Sequence, residues 1–500
     1  MGNLSADAAP PEVAVDPSSE PRGLTVDRVW ALLPILVPAL VWMLSRMVAV
    51  DLAYHIRAGE LILRTGRIPN VDMFTFTIPG RPWFDQQWGA QVLLALIHRA
   101  GGWGTVSFVR AALIASAFGM VYLACRARGA GPRDASTLSL FGFIVSLQSL
   151  AMRPQLFAIV LFAISLWVLA TRDRSPGRLW LLPVIAVAWA NLHGSFFMAP
   201  LLVGLAWIAD LLAGNTEGAR RLISVGAATV LATFVTPFGP LVWKYAYQLT
   251  TNPAIRNNVT EWAPVTIGSF GGAAFFVTGI GVAVYLARRS EKTSWGDLLW
   301  LTMFFVLALP AVRGIVWWSL VAPVVVAGNV TRPTGSAAGG GGSTRAGSPA
   351  VNRVLVGVLV AALLVALPWW RAGTTTAMLS QAPIGLSNAA SRTLAPGTRL
   401  FVSEPWASWF EYALPSIPVF TDPRIEIFPT AVWDDYSEIR IGGSRWQQIL
   451  DRWRVQAVVV DRDDFSRLLA VMRGSPVWKA VYEDRDGVLF VRVQGSNAPS

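Results

Sequence analysis

Asp51-Leu-Ala-Tyr-His-Ile-Arg-Ala-Gly-Glu60 stands just after the apolar run Val29–Leu44, and the junction between the two decides how the chain is read. The run approaches the roughly 20 residues that a helix needs to cross about 30 Å of hydrocarbon. The stretch after it carries Asp51, His55, Arg57 and Glu60 within three turns of any helix it forms. As a helix it sets Asp51, His55 and Gly59 on one face and Leu52, Ile56 and Leu63 along an apolar stripe. Such a helix is expected to lie along a membrane surface with the acid and the imidazole facing outward together. Gly66-Arg-Ile-Pro69 ends it, because glycine and proline stop helices at this position.

Outward from there, Asn70-Val-Asp72-Met-Phe-Thr-Phe-Thr-Ile-Pro-Gly80 reads as an extended segment closing in a Pro-Gly turn. Trp83-Phe-Asp85-Gln-Gln-Trp88 then leads into a second amphipathic helix, Gln91–Ala100, which carries His98 and Arg99. The whole stretch 51–104 is polar where its neighbours are apolar, so it forms a large first loop outside a membrane.

Composition supports the bilayer. Of 500 residues 54% are hydrophobic and 14% charged, and the mean hydropathy of +0.49 is too apolar for a water-soluble chain of this length. Further apolar stretches run over Leu156–Ala170, Phe196–Leu212, Leu222–Val235, Ala273–Ala287, Leu298–Ala311, Ile315–Ala327 and Val354–Trp369. Tryptophans at their ends, such as Trp30, Trp180, Trp300, Trp369 and Trp370, fit an interfacial belt.

The net charge of +11 sits in short loops: Arg126 to Arg133, Arg172 to Arg178, Arg220 with Arg221, Arg288 to Lys292, and Arg332 to Arg353. By the positive-inside rule those loops are cytoplasmic, which yields about eleven spans and puts everything after Trp370 outside. A nucleic-acid role then has no face to use. Residues 1–28 read as a disordered cytoplasmic tail, and 331–352 as a flexible Gly/Ser/Ala linker. The first apolar run lacks a small-residue cleavage site and is not expected to be a cleaved signal. With Cys125 as its single cysteine, the chain has no intramolecular disulfide and no multi-cysteine metal site.

Asp51, His55, Glu60, Asp72 and Asp85 converge on one loop, and ionisable groups gathered at a membrane surface usually mark a site. The alternative for Asp51 is a solvated helix N-cap. Arg153, Arg256 and Arg313 fall at outer segment ends, where a guanidinium matches a lipid phosphate, the alternative being interfacial snorkelling. His193 also lies near an outer edge, where a lone histidine is more often a satisfied structural group.

The motif Asp51-Leu-x-x-His-Ile-Arg-x-Gly-Glu with Gly66-Arg-Ile-Pro-x-x-Asp72-x-Phe-Thr-Phe-Thr-x-Pro-Gly-Arg-Pro-Trp83-x-Asp85-x-x-Trp88 resembles the first outer loop of a family of bacterial polytopic membrane proteins. That family is similar in layout to GT-C glycosyltransferases, which use polyprenyl-phosphate-linked sugars. Met152-Arg153-Pro, Trp189-Ala-Asn191-Leu-His193-Gly194, Thr236-Pro-Phe-Gly239, Glu261-Trp262, Arg313 and Thr421-Asp422-Pro-Arg424 extend the match. The resemblance implies a catalytic acid just after the first span, at Asp51, acting as general base or holding a divalent metal. Catalytic candidates are Asp51, His55 and Asp85. Substrate-binding candidates are Glu60, Asp72, Trp88, Arg153, His193, Arg256 and Arg313. Asp51, Asp72 and Asp85 are the residues that would hold Mg²⁺ or Mn²⁺.

The last part of the chain, 371–500, changes character. Leu400–Val402, Ile417–Phe420, Val455–Val460 and Val488–Val493 read as strands. Trp406–Ala413, Ala431–Ile439, Arg445–Trp453 and Phe465–Arg473 read as helices, so this is a small α/β domain outside the membrane. It holds no histidine and no phosphate loop, and is expected to bind the acceptor or cover the first outer loop. The fold expected is therefore mainly α: a transmembrane, GT-C-like bundle over 29–370 and this domain. The function expected is transfer of a sugar from a polyprenyl-phosphate donor to an envelope glycan, lipid or protein acceptor, outside the bacterial inner membrane. The alternatives are a non-catalytic assembly or regulatory protein that keeps the fold, and a transporter or flippase. A transporter is disfavoured because Arg46, Arg110 and Asp210 lie near segment ends rather than deep in spans.

Overall fold

A computed structural model of the chain describes residues 24–252, 260–289, 291–330, 348–370 and 375–493. Arg256, residues 1–23 of the expected tail and 331–347 of the expected linker lie outside these residues. The membrane part is a succession of helices: α1 Val26–Leu44, α2 Val50–Thr65, α3 Trp88–Ala127, α4 Pro132–Ser146, α5 Pro154–Ala170, α6 Leu181–Leu192, α7 Met198–Leu212, α8 Thr216–Ala232, α9 Leu241–Thr251, α10 Phe270–Ala287, α11 Trp295–Ala308, α12 Ile315–Gly328 and α13 Pro349–Val365. Val26–Arg28, at the end of the expected tail, are already helical, because the Thr25 hydroxyl caps α1 by accepting from the Arg28 N–H. Pro349–Asn352, at the end of the expected linker, likewise open α13.

Four helices, Val26–Leu44, Trp88–Ala127, Gly194–Leu212 and Phe270–Ala287, are long and apolar enough to cross a membrane. Shorter apolar helices at Pro154–Ala170, Trp295–Ala308, Val312–Gly328 and Pro349–Val365 accompany them. Against the expected count of about eleven, these are four long and four shorter apolar helices; the 17 residues of α5, among the shorter, cover about 26 Å. Exposed Ile35 and Val41 on α1, Val277, Ile280 and Val284 on α10, and Val354, Val358 and Val365 on α13 form apolar faces that water would not tolerate. The chain is a membrane protein. Buried Arg110 from α3 reaches the end of α1, where its Nη2 donates to Trp42 O at 2.6 Å and Ser45 O at 2.7 Å. Its charge thus satisfies carbonyls that the helix end leaves bare.

The C-terminal part builds a four-stranded sheet from β3 Leu400–Phe401, β4 Ala457–Asp461, β5 Trp478–Glu483 and β6 Gly487–Arg492, in the order β3-β4-β6-β5. The β3–β4 pair is parallel and the other two pairs are antiparallel. Helices α14 Ile384–Thr393, α15 Glu404–Ala413, α16 Thr430–Arg440, α17 Trp446–Arg452 and α18 Ser466–Arg473 complete it. The expected strand at Ile417–Phe420 does not form; Pro418 interrupts it. Val419 instead bridges Leu400 on one side and Thr75 of the outer loop on the other. Its N–H donates to Phe74 O at 3.2 Å and its carbonyl accepts from the Phe76 N–H at 3.1 Å. A second joint pairs β1, Met47–Val48, in parallel with β2, Leu379–Ser380.

Between these joints α2 is enclosed rather than laid on a surface. Gly66 ends it as expected, with φ +66°. Yet Tyr54, His55, Ala58 and Gly59 are buried along with Leu52 and Ile56 of the apolar stripe, while Leu63 is half-buried. One side packs on α3, where a Cβ at Gly59 would stand 2.0 Å from the Gln91 carbonyl oxygen. The other side packs on α15, where Ser408 Oγ accepts from the Tyr54 N–H at 2.8 Å. The expectation of an outward-facing imidazole is therefore corrected: a polar face can be polar because another domain covers it. Gly59→Ala is expected to lower stability by about 1–3 kcal/mol, overpacking outweighing its better helix propensity. Thermal unfolding of the purified protein in detergent checks this, and an unchanged or higher midpoint would refute it.

Candidate active site

The enclosure leaves a cavity of about 380 Å³ above the helix ends. Asp51 enters it from the first turn of α2, and Arg153 from the start of α5. Arg153 precedes Pro154, which fixes it in an extended conformation and starts the helix at the next residue. Its Nε lies 2.8 Å from Asp51 Oδ2 and its Nη1 2.5 Å from Glu261 Oε1, so one guanidinium bridges two carboxylates. Asp51 is not the N-cap of its helix; Ala49 holds that position. Arg313 stands nearby, its guanidinium carbon 4.8 Å from the centre of the Trp262 ring. One amino group of Arg313 donates to Gln155 Oε1 at 3.4 Å. His55 and His193 also line the cavity. His193 has a structural duty as well, because its Nδ1 accepts from the Ser195 N–H at 3.1 Å.

The opposite wall comes from the C-terminal part, through Glu404, Pro405, Pro423, Ile425 and Glu426. Tyr245 joins it and donates from its hydroxyl to Glu426 Oε1 at 3.2 Å. The cavity thus holds the guanidiniums of Arg153 and Arg313 beside Asp51 and Glu261, opposite an acidic wall at Glu404 and Glu426.

No family model matches the chain, and no curated protein matches it. Solved structures do. The chain superposes with a TM-score of 0.59 on the archaeal oligosaccharyltransferase AglB from Archaeoglobus fulgidus, in complex with an inhibitory peptide and a dolichol-phosphate. The match is at 13% identity and covers 94% of this chain and 75% of that one. The apo form of the Archaeoglobus fulgidus oligosaccharyltransferase matches with a TM-score of 0.57 at 12% identity, over 94% and 75% of the two chains. ArnT from Cupriavidus metallidurans in the apo state matches with a TM-score of 0.54 at 14% identity, over 93% and 98%. The fold is that of the GT-C glycosyltransferases.

Within the GT-C fold the sequence candidates divide. Asp51, His55, Arg153, His193 and Arg313 come together in the cavity, while Glu60, Asp72, Asp85 and Trp88 do not line it. Glu60 forms an exposed ion pair with Arg99, which lies on α3. Trp88 ties the outer loop to α6, donating to Asn191 Oδ1 at 3.1 Å. Asp85 is buried, accepts from Gln91 Nε2 at 2.7 Å, and is pushed by burial up to about 7. Asp72 accepts from the Thr75 hydroxyl at 2.8 Å and pairs with Arg424, which also pairs with Asp422. That guanidinium is sandwiched by Phe74 and Trp83, at 4.8 and 4.5 Å from their ring centres. Asp72 therefore locks the outer loop to the C-terminal part. Glu404, Glu426, Tyr54, Tyr245 and Glu261 line the cavity without having been singled out as site residues. Of these only Glu261 carried a sequence signal, as part of the Glu261-Trp262 motif.

A metal held by Asp51, Asp72 and Asp85 does not fit. Among the described residues no group of three or more His, Cys, Asp or Glu side chains is gathered as a metal site. Asp51 already faces a guanidinium, and Asp72 is engaged elsewhere. The chemistry available is that of charge and protons. Burial pushes the imidazoles of His55 and His193 down to about 3, so both are neutral at physiological pH. Burial and the Arg153 charge act together at His55, whose Nδ1 has no hydrogen-bond partner among the described residues. Asp51 and Glu261 push Arg153 upward against its burial and keep it charged.

Proposed function

We propose that this protein is a membrane glycosyltransferase that moves a sugar from a polyprenyl-phosphate-linked donor to an envelope glycan, lipid or protein acceptor. In this reading it works on the outer side of a bacterial inner membrane, with about eleven spans and a C-terminal domain over 371–500 outside. The observation that carries the reading is the cavity in which Arg153 and Arg313 face the acids Asp51, Glu404 and Glu426. Glycosyl transfer needs both signs at once. The acceptor oxygen must lose a proton to a carboxylate while it bonds to the anomeric carbon. The departing lipid phosphate takes the electron pair of the broken carbon–oxygen bond, and a paired guanidinium beside it stabilises that charge.

Two further features support a lipid-linked donor. A small recess shares Arg153, Gln155, Glu261 and Arg313 with the cavity and borders Gln148 and Val312. An almost wholly apolar groove of about 270 Å³ runs between α4, α10 and α12, lined by Phe141, Val145, Val277, Trp318 and Val326 among others, and offers an apolar surface of the kind a polyprenyl tail needs. AglB, similar in fold, was solved with a dolichol-phosphate.

The reading is tested by comparing the glycolipids and glycoproteins of a deletion strain with those of strains complemented by the wild type or by Asp51→Asn. Wild type should restore the missing product. Asp51→Asn, at normal protein levels, should restore no more than about a hundredth of the rate. Products unchanged by the deletion, or full restoration by the variant, would end the glycosyltransferase reading.

A further inference from the structure

Four carboxylates line the cavity: Asp51, Glu261, Glu404 and Glu426. Three have partners. Asp51 and Glu261 share the Arg153 guanidinium, and Glu426 accepts from Tyr245. Glu404 has no ion pair and no hydrogen-bond donor to its carboxylate among the described residues, although its backbone is anchored by its N–H donating to the Tyr436 hydroxyl at 2.9 Å. It is the first residue of α15, followed by Pro405. The helix therefore holds its Cα rigidly while its side chain faces the cavity.

A carboxylate bridged to a guanidinium is a poor proton acceptor, because protonation forfeits the charge-assisted contact. Asp51 is bridged in this way to Arg153. An unpaired carboxylate in the same space has no such contact to lose. We propose that Glu404 is the catalytic residue that takes the acceptor proton, and that Asp51 serves to hold Arg153 at the phosphate; the proposal rests on the glycosyltransferase reading. In the step, the acceptor O–H breaks and its proton moves to a Glu404 oxygen. The acceptor oxygen then bonds to the anomeric carbon, and the bond from that carbon to the phosphate oxygen breaks. The electron pair remains on the polyprenyl phosphate beside Arg153 and Arg313, and Glu404 later returns its proton to water. On this account the C-terminal part of the chain supplies half of the reaction chemistry rather than a cover.

The charges that act on Glu404 come from several elements. Burial pushes its carboxyl up to about 8; Asp51 on α2 and Asp422 push the same way, against Arg153 and against Arg440 on α16. A general base works ionised, so activity limited by Glu404 rises by about tenfold per pH unit below about pH 8 and levels above it.

Native membranes of the parent strain, of the deletion strain and of strains carrying each variant supply both substrates. Sugar transferred to envelope products is measured by mass spectrometry from about pH 6 to about pH 9, spanning the expected break. Wild-type membranes should show the rise. Glu404→Gln should lose at least about a hundred-fold in rate at the upper end and lose the rise itself. Glu404→Asp should keep the rise at a reduced rate, which separates lost chemistry from lost folding. Asp51→Asn should likewise keep the rise, because its damage lies at the phosphate. Glu404→Gln with the wild-type rate and rise overturns the proposal and leaves the glycosyltransferase reading intact. Deletion membranes that transfer as much sugar as wild type overturn that reading, and the proposal with it.

Discussion

If the proposed function holds, Arg153→Ala is expected to lower sugar transfer by about a thousand-fold, because it removes the donor proposed to meet the phosphate and also leaves two acids without their counter-charge. Both effects have the same sign. Arg153 bridges Asp51 at 2.8 Å and Glu261 at 2.5 Å, and its side chain is only 23% exposed, so water replaces it poorly. Without it the cavity gains uncompensated negative charge where a phosphate must bind. Arg153→Lys should recover little, since one ammonium cannot reproduce a planar fork that meets Asp51 through Nε and Glu261 through Nη1. Transfer in native membranes, normalised to protein level, measures the effect. A variant within about tenfold of wild type would show that the leaving phosphate is not met by this residue.

Arg424→Leu is expected to be the most destabilising single change outside the cavity, at about 3–5 kcal/mol. The arginine and its partners are almost wholly enclosed: side-chain exposures are 2% for Arg424 and 0% for both Asp72 and Asp422. Taking away one member of a buried ion cluster leaves the others charged in a medium that solvates them badly. Burial, and after it the charge of Asp422, push the neighbouring Glu411 carboxyl well up. Leucine keeps apolar volume between Phe74 and Trp83, and the loss therefore reports charge rather than a hole. The outer loop should separate from the C-terminal part, detected as faster proteolysis within 70–82 and as a lower unfolding midpoint in detergent. Unchanged values of both would mean that the cluster does not hold the two together.

Much of this was legible in the residues. The junction at Asp51 and the stop at Gly66 were readable because glycine, proline and helical periodicity act locally. Arg153, His193 and Arg313 were found by their position at segment ends, and the cavity does collect them. The three acids among the four candidates that fall elsewhere share one cause. A run of ionisable residues in a loop looks alike whether it faces a substrate or another part of the chain. Glu60 meets Arg99 across 39 positions and Asp72 meets Arg424 across 352, and nothing local announces either pair. The enclosure of α2 was hidden for the same reason, since its polar face is covered by Ser408 from 354 positions away. Glu404 and Glu426 were beyond reach because the C-terminal part was read by strand and helix pattern, which does not say which side chains look back at the bundle. The strand β5 was passed over because Trp478–Glu483 is mostly exposed and lacks an apolar run.

The pairing of β1 with β2 has a bearing on how the protein is made. The Arg46 Nε donates to Leu379 O at 3.0 Å, a contact that spans 333 positions, so the start of the outer loop finds its partner only after the whole bundle has been made. Closing a chain segment of that length is slow even where its entropic cost grows only logarithmically. The bundle itself holds Asp51, Arg153, Glu261 and Arg313, but any premature stop before Glu426 leaves the cavity without the full wall formed by Glu404 and Glu426. Under the proposed function, sugar transfer has to await the segment that carries Glu404 and Glu426.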